Sequence, residues 1–170
     1  GMDLPTNVYP LFANALRKNE NKSAKEHLKE CSDLFSSFSK VAAENPFSWF
    51  PTYRSSKEIS EVTPNNRMIG FPYTKYLNSI IRVNMSSAFI LISQRKADEL
   101  SIPNTKRIYI HGCSILDDVW NVTERPNFYS SPAIKECVNQ TLDKAEIGLS
   151  DIDYFDLYSC FPSAVQIAKN

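Results

Sequence analysis

No sign of charge dominates this sequence: lysine plus arginine number 19, and aspartate plus glutamate also 19, over 170 residues. With no basic stripe, a nucleic-acid partner is not expected, and the lack of any run of five or six like charges excludes a charged tail. Long apolar runs are missing too. The longest, around Ala88 to Ile92, falls far short of the roughly 20 residues that a membrane-spanning helix needs, so no membrane partner is expected. The segment Gly1-Met2-Asp3-Leu4 lacks the positive and apolar regions of a signal peptide. Gly1 ahead of Met2 reads as the remainder of a cleaved tag, and the cytoplasm as the simplest setting. Cysteines are present but not clustered. Cys31, Cys113, Cys137 and Cys160 form no C-x-x-C pair and have no histidine at ligand spacing, which argues against a disulfide framework or a zinc site. Cys31, Cys113 and Cys137 are expected as buried, reduced thiols, and no metal site is expected. Repeats and low-complexity tracts are absent as well. At this length one domain could bury roughly 70% of its unfolded surface.

What is there begins as helix. Asn7 is placed to cap a short helix to about Lys18, with Pro10 in its first turn, where a missing N–H costs nothing. Ser23 with Glu26 three residues on makes a capping box. Leu28, Cys31, Leu34, Phe35, Phe38, Val41 and Ala42 then recur at three- and four-residue spacing, one face of a helix that Pro46 stops. From 45 to 73 lie four prolines, with Phe47, Trp49, Phe50, Phe71 and Tyr73 between them. Burying so many aromatics would hold a loop without secondary structure in place. It reads either as a cover over a ligand cleft or as a packed connection.

Thr74 to Ile80 reads as a short helix. Met85 and Ala88–Ile92 form a continuous apolar run, the pattern of a strand buried on both faces. Gln94–Leu100 gives a helical turn or two, Pro103-Asn104 a turn, and Arg107–His111 a second strand. Ser131 caps a helix with Pro132 at its first position; Ile134, Val138, Leu142 and Ala145 share its apolar face, and Gly148 stops it. Asp153–Tyr158 is a third strand, followed by a helix from Pro162. Strands separated by helices predict an α/β arrangement.

Four blocks carry a resemblance. They are Tyr9-Pro10-Leu11-Phe12-Ala13-Asn14-Ala15-Leu16-Arg17, Phe47-Ser48-Trp49-Phe50-Pro51-Thr52, Pro64-Asn65-Asn66-Arg67-Met68-Ile69-Gly70-Phe71-Pro72-Tyr73-Thr74-Lys75 and the terminal Tyr154–Gln166 stretch. The last resembles the strand and turn bearing the Asn-Glu-Ala-Phe motif of thiolases, in the Tyr158-Ser159-Cys160-Phe161 form of the acetyl-CoA acetyltransferase-like branch. The resemblance implies a partial thiolase-like α/β fold with a helical N-terminal third. Residues 1–83 would be the helical and aromatic-loop segment, 84–104 the last strand and helix of the N-terminal half, and 105–170 the start of the C-terminal half. It also implies a central segment that lacks the family's nucleophilic cysteine and its downstream His and Cys. Open sheet edges would then favour a homo-oligomer, or pairing with the missing thiolase segments.

The implied chemistry is Claisen condensation or thiolysis of acyl-CoA, with a coenzyme A thioester as substrate and no covalently bound cofactor. Aligned on Phe161, Tyr158 takes the place of the family asparagine that helps form an oxyanion hole through a water. A phenol has one O–H to donate there, and a tyrosine merely packed at a strand end is the alternative. Cys160, near the start of a helix whose dipole favours a thiolate, is the tempting nucleophile, although its family counterpart is commonly a small core residue. Arg67 and Lys75 flank the aromatic loop and would meet CoA phosphates, unless they are ordinary surface charges. His111, in or just after a strand before Gly112, is expected as a hydrogen-bonded core residue, with a place facing the cleft as the alternative. Other open readings are a non-catalytic acyl-CoA or protein-binding module, a remnant of a disrupted thiolase gene, and a cysteine hydrolase acting through Cys160. In the family a glycine usually stands where the Met85-Ser86-Ser87-Ala88 segment has serine, which suggests relaxed backbone packing. Asn170 is an odd place to stop, because Ala164, Val165, Ile167 and Ala168 still seek a core.

Overall fold

The first two helices are set by their ends. In this computed structural model, which describes residues 4–170, α1 runs Pro5–Asn19 and α2 runs Ala24–Glu44. The reading of Gly1 as a tag remainder lies outside the described residues. Helix α1 starts earlier than expected: Pro5, not Pro10, occupies its first turn, and Pro10 lies inside it. An interior proline offers no N–H to the carbonyl of Thr6. Gly70 packs against that carbonyl so closely that a Cβ there would lie 2.6 Å from Thr6 O. The capping box of α2 is complete: Ser23 Oγ accepts from Glu26 N–H, and the Glu26 carboxylate accepts from Ser23 N–H. Asn45 ends the helix just before Pro46.

The buried line on α2 is His27, Cys31, Ser32 and Ser36. Phe38 and Val41, expected on the packed face, are exposed. The serines bring α2 close to the 50s segment, Ser36 Oγ donating to Arg54 O at 2.8 Å. The aromatic stretch has structure of its own, contrary to expectation. Helix α3 spans Ser56–Ser60 behind a second capping box, and β1 (Met68–Gly70) pairs antiparallel with β2 (Tyr73–Thr74). The aromatics do not hold it down either: Phe47, Trp49, Phe50 and Phe71 are exposed, and only Tyr73 is buried. The helix expected at Thr74–Ile80 is a single 3₁₀ turn, Lys75–Leu77.

Further along, α4 (Gln94–Glu99), α5 (Pro132–Ala145) and α6 (Pro162–Lys169) form where capping and proline signals placed them. Helix α5 ends before Gly148, at Glu146, whose φ of 57° gives the left-handed turn itself. The three predicted strands are a different matter. Residues 83–93, 107–119 and 152–158 carry no strand pairing, and the β1–β2 hairpin is the sole sheet among the described residues. Their apolar side chains face outward: Phe89 is 88%, Ile108 95% and Ile115 93% exposed. A ladder needs a neighbouring backbone, and within these residues none is offered. The result is helix-rich, with one small sheet, and compatible with part of an α/β fold. No helix among the described residues is long and apolar enough to cross a membrane.

The core gathers distant parts of the chain. Ala13, Cys31, Ile59, Tyr73, Leu77 and Phe161 pack together, with Tyr9 and Cys160 at the edge. Helices α1, α2 and α3, the hairpin and the turn before α6 therefore share one apolar cluster.

Candidate functional site

The turn at residues 158–162 is built from both ends of the chain. The Ser159 hydroxyl donates to Phe161 O and accepts from Phe161 N–H at 3.1 Å, folding the backbone tightly over two residues. Phe161 is buried between Tyr9, stacked on it at 4.1 Å and 14°, and Tyr73, tilted at 5.8 Å. The buried Tyr73 hydroxyl accepts from Ser163 N–H at 3.2 Å and so fixes the first turn of α6. Burial pushes the Tyr73 phenol above its ordinary pKa, so it stays protonated. Ser79 N–H donates to Cys160 O at 3.1 Å, tying the turn to the segment after the hairpin.

On this turn Tyr158 and Cys160 meet, the phenol oxygen 3.5 Å from Cys160 Sγ. Tyr158 is 89% exposed and Cys160 half-buried. The thiol contact raises the Tyr158 pKa above its ordinary value of 10.0, at which the phenol is already protonated at neutral pH. A donor on a rigid turn, open to its surroundings, can hold an oxyanion or an ordered water. No histidine among the described residues reaches Cys160 by a hydrogen bond: His27 is buried between the first two helices, and His111 is exposed. The expectation that His111 is a hydrogen-bonded core residue is therefore corrected: it is exposed, because its segment has no strand partner to cover it.

Arg67 and Lys75 sit at the base of the hairpin. Lys75 N–H donates to Arg67 O at 2.9 Å, and both residues are exposed. The hairpin brings them together, and no hydrogen bond links either to Tyr158 or Cys160 among the described residues. A cleft of about 450 Å³ lies against α1, α5 and α6, walled by Tyr9, Phe12, Arg125, Ile134, Ser163 and Ile167. Among the cysteines only Cys31 is buried; Cys113 is exposed and Cys137 intermediate, against expectation, because the segments around them have no covering layer.

Two residues that hold the site were not singled out in the sequence. Tyr73 appeared only as one aromatic of a loop, and nothing local shows that its hydroxyl meets α6. Asn66 is 1% exposed; its Nδ2 donates to Glu58 O, Ile59 O and Glu61 O at 2.9–3.0 Å, and its Oδ1 accepts from Tyr76 N–H at 2.9 Å. It pins α3 to the hairpin.

No family model and no curated protein matches the chain. Among solved structures, it is similar to a monomeric SCP2-thiolase-like protein type 1 from Mycobacterium smegmatis, at 34% identity and a TM-score of 0.86. The match covers 99% of this chain. The fold is thiolase-like. The chain spans 37% of the length of that protein, so the thiolase-like fold here is a part of the larger one. Strand-like segments that lack partners among the described residues accord with such a part.

Proposed function

We propose that this chain is the central segment of a thiolase-like acyl-CoA C-acyltransferase of the acetyl-CoA acetyltransferase-like branch. It would contribute to Claisen condensation or thiolysis of a coenzyme A thioester, and be inactive alone. The observation that carries this reading is the 34% identity extending over 99% of the chain, at a TM-score of 0.86. Tyr158 would supply an O–H donor to the developing oxyanion, directly or through a water, where charge stabilisation acts most strongly. Cys160 adjusts that phenol by contact and is not the acyl carrier. Arg67 and Lys75 form a cationic pair of positions suited to CoA phosphates. The partners are then acyl-CoA and the remaining thiolase-like segments, with self-association wherever those are absent. A cytoplasmic setting suits four cysteines that form no disulfide.

The test joins an intact-mass measurement of the native gene product with an acetoacetyl-CoA thiolysis assay. A longer product with turnover, while the 170-residue chain alone has none, supports the reading. Turnover by the 170-residue chain alone overturns it. A longer product that binds CoA saturably but never turns over would instead make this a non-catalytic acyl-CoA-binding module. In an active product, Tyr158→Phe should lower kcat by about 100-fold with KM little changed.

A further inference from the structure

Linear spacing gave no metal ligands, but folding brings three together. Glu20 ends α1, and Asn21, at φ 53°, turns the chain back along α2. His27 and Glu30 are three residues apart on α2, so they share the face that Glu20 approaches. One ligand atom from each of Glu20, His27 and Glu30 lies within 4.8 Å of the others. His27 is 0% exposed, yet neither ring nitrogen has a hydrogen-bond partner. Glu20 Oε2 is also buried and is ion-paired with the Lys22 ammonium, while Glu20 Oε1 accepts from Asn170 Nδ2 at 2.9 Å. Buried imidazole nitrogens normally have a partner.

A cation already occupies part of the gap. Lys22 Nζ lies 2.9 Å from Glu20 Oε2 and 2.7 Å from Glu30 Oε2. The ammonium pairs with both carboxylates and leaves the imidazole unserved. Two carboxylates face Lys22, with the Arg17 guanidinium the other cation acting on His27, and the partly exposed Lys22 stem is free to move toward solvent. We propose that Glu20, His27 and Glu30 form a divalent transition-metal site of the zinc class, in which the ion displaces the Lys22 ammonium and satisfies the buried imidazole. Zinc bonds of roughly 2.1 Å put tetrahedral ligands about 3.4 Å apart, a contraction within reach of side-chain rotation, with water as the fourth ligand. Such an ion would clamp α1 to α2 beneath the core. The inference does not depend on the acyl-CoA reading.

The test is titration of the chain with zinc chloride by calorimetry and with Co²⁺ by absorption. One saturable equivalent is expected, with Co²⁺ ligand-field bands but no thiolate charge-transfer band. Glu30→Gln, at an exposed position that should leave the fold intact by circular dichroism, should weaken binding by about tenfold or more. His27→Gln should do the same, and Lys22→Met should strengthen binding. Absence of saturable binding, an affinity unchanged by Glu30→Gln, or a thiolate band assigning the ion to cysteines would each overturn the proposal.

Discussion

At Asn66 one amide serves four backbone groups. Three carbonyls around the end of α3 accept from its Nδ2, and Tyr76 N–H donates to its Oδ1. No backbone ladder can take over, since α3 is only five residues long. Asn66→Ala strands a buried N–H and several carbonyls, which should cost about 3 kcal/mol in urea unfolding. Asn66→Asp places a carboxylate against three carbonyl dipoles. Its folded-state pKa is then raised, so the penalty should be larger near pH ~7 than near pH ~5, where protonation restores a donor. Cysteine makes a second prediction at this scale. Burial pushes the Cys31 thiol up to about 12, and its Sγ lies 3.6 Å from Gln166 Oε1. Iodoacetamide near neutral pH should label Cys113 and leave Cys31 untouched until the chain unfolds. Rapid labelling of Cys31 in the folded chain would mean that the core opens. What was legible at this scale was residue type in a local frame: Ser23, Ser131 and Pro162 announced their roles. Asn66 and Tyr73 did not, because their partners lie across the fold.

Elements here are set mostly by their ends. Among the described residues, five of the six α-helices fall close to where caps, prolines or periodicity placed them, since a cap signal acts within one turn and needs no tertiary partner. Helix α3, behind its own Ser55–Glu58 box, was obscured by the aromatics around it. Helix α5 shows how an end can also fix a neighbour. Ser131 Oγ accepts from Ile134 N–H and donates to Asp118 Oδ2 at 2.6 Å, while Arg125 Nη2 reaches the same carboxylate oxygen at 2.8 Å. Burial works to raise the Asp118 pKa, but the Ser131 and Arg125 hydrogen bonds and the Val119 N–H outweigh it and hold the carboxyl below its ordinary value. A folded-state pKa below the unfolded one means that Asp118 stabilises the fold above the ordinary value of 3.8. That contribution is lost as pH falls through the lower, folded-state pKa. Asp118→Asn should therefore lose about 1 kcal/mol at neutral pH. It should also flatten the acid limb of a urea-midpoint profile; an acid limb identical to that of the parent would show that the carboxylate carries none of this linkage.

For the whole molecule, surface area is the deciding quantity. The chain exposes 12953 Å², whereas a folded monomer of 19.4 kDa is expected to expose about 8,500 Å². The excess on this one chain exceeds what one side of a standard interface buries, and much of it lies on the three segments that read as strands. Their apolar runs were legible, and their expected burial presupposed neighbours that are not found among the described residues. The same reason explains why the Tyr158–Phe161 turn could be located from sequence while the rest of its surroundings could not. Unpaired apolar segments such as Phe89-Ile90-Leu91 and Ile108-Tyr109-Ile110 should drive association of the isolated chain. Sedimentation velocity should show species heavier than 19.4 kDa that grow with concentration, together with strong binding of a hydrophobic dye. Replacing Ile90 and Ile108 by lysine should reduce both, because each change puts a charge on an exposed apolar stretch at no cost to the core. A chain that stays monomeric and dye-silent across the concentration range would show that these segments fold back on themselves in solution. It would also remove the physical basis for a thiolase-like neighbour packing against them.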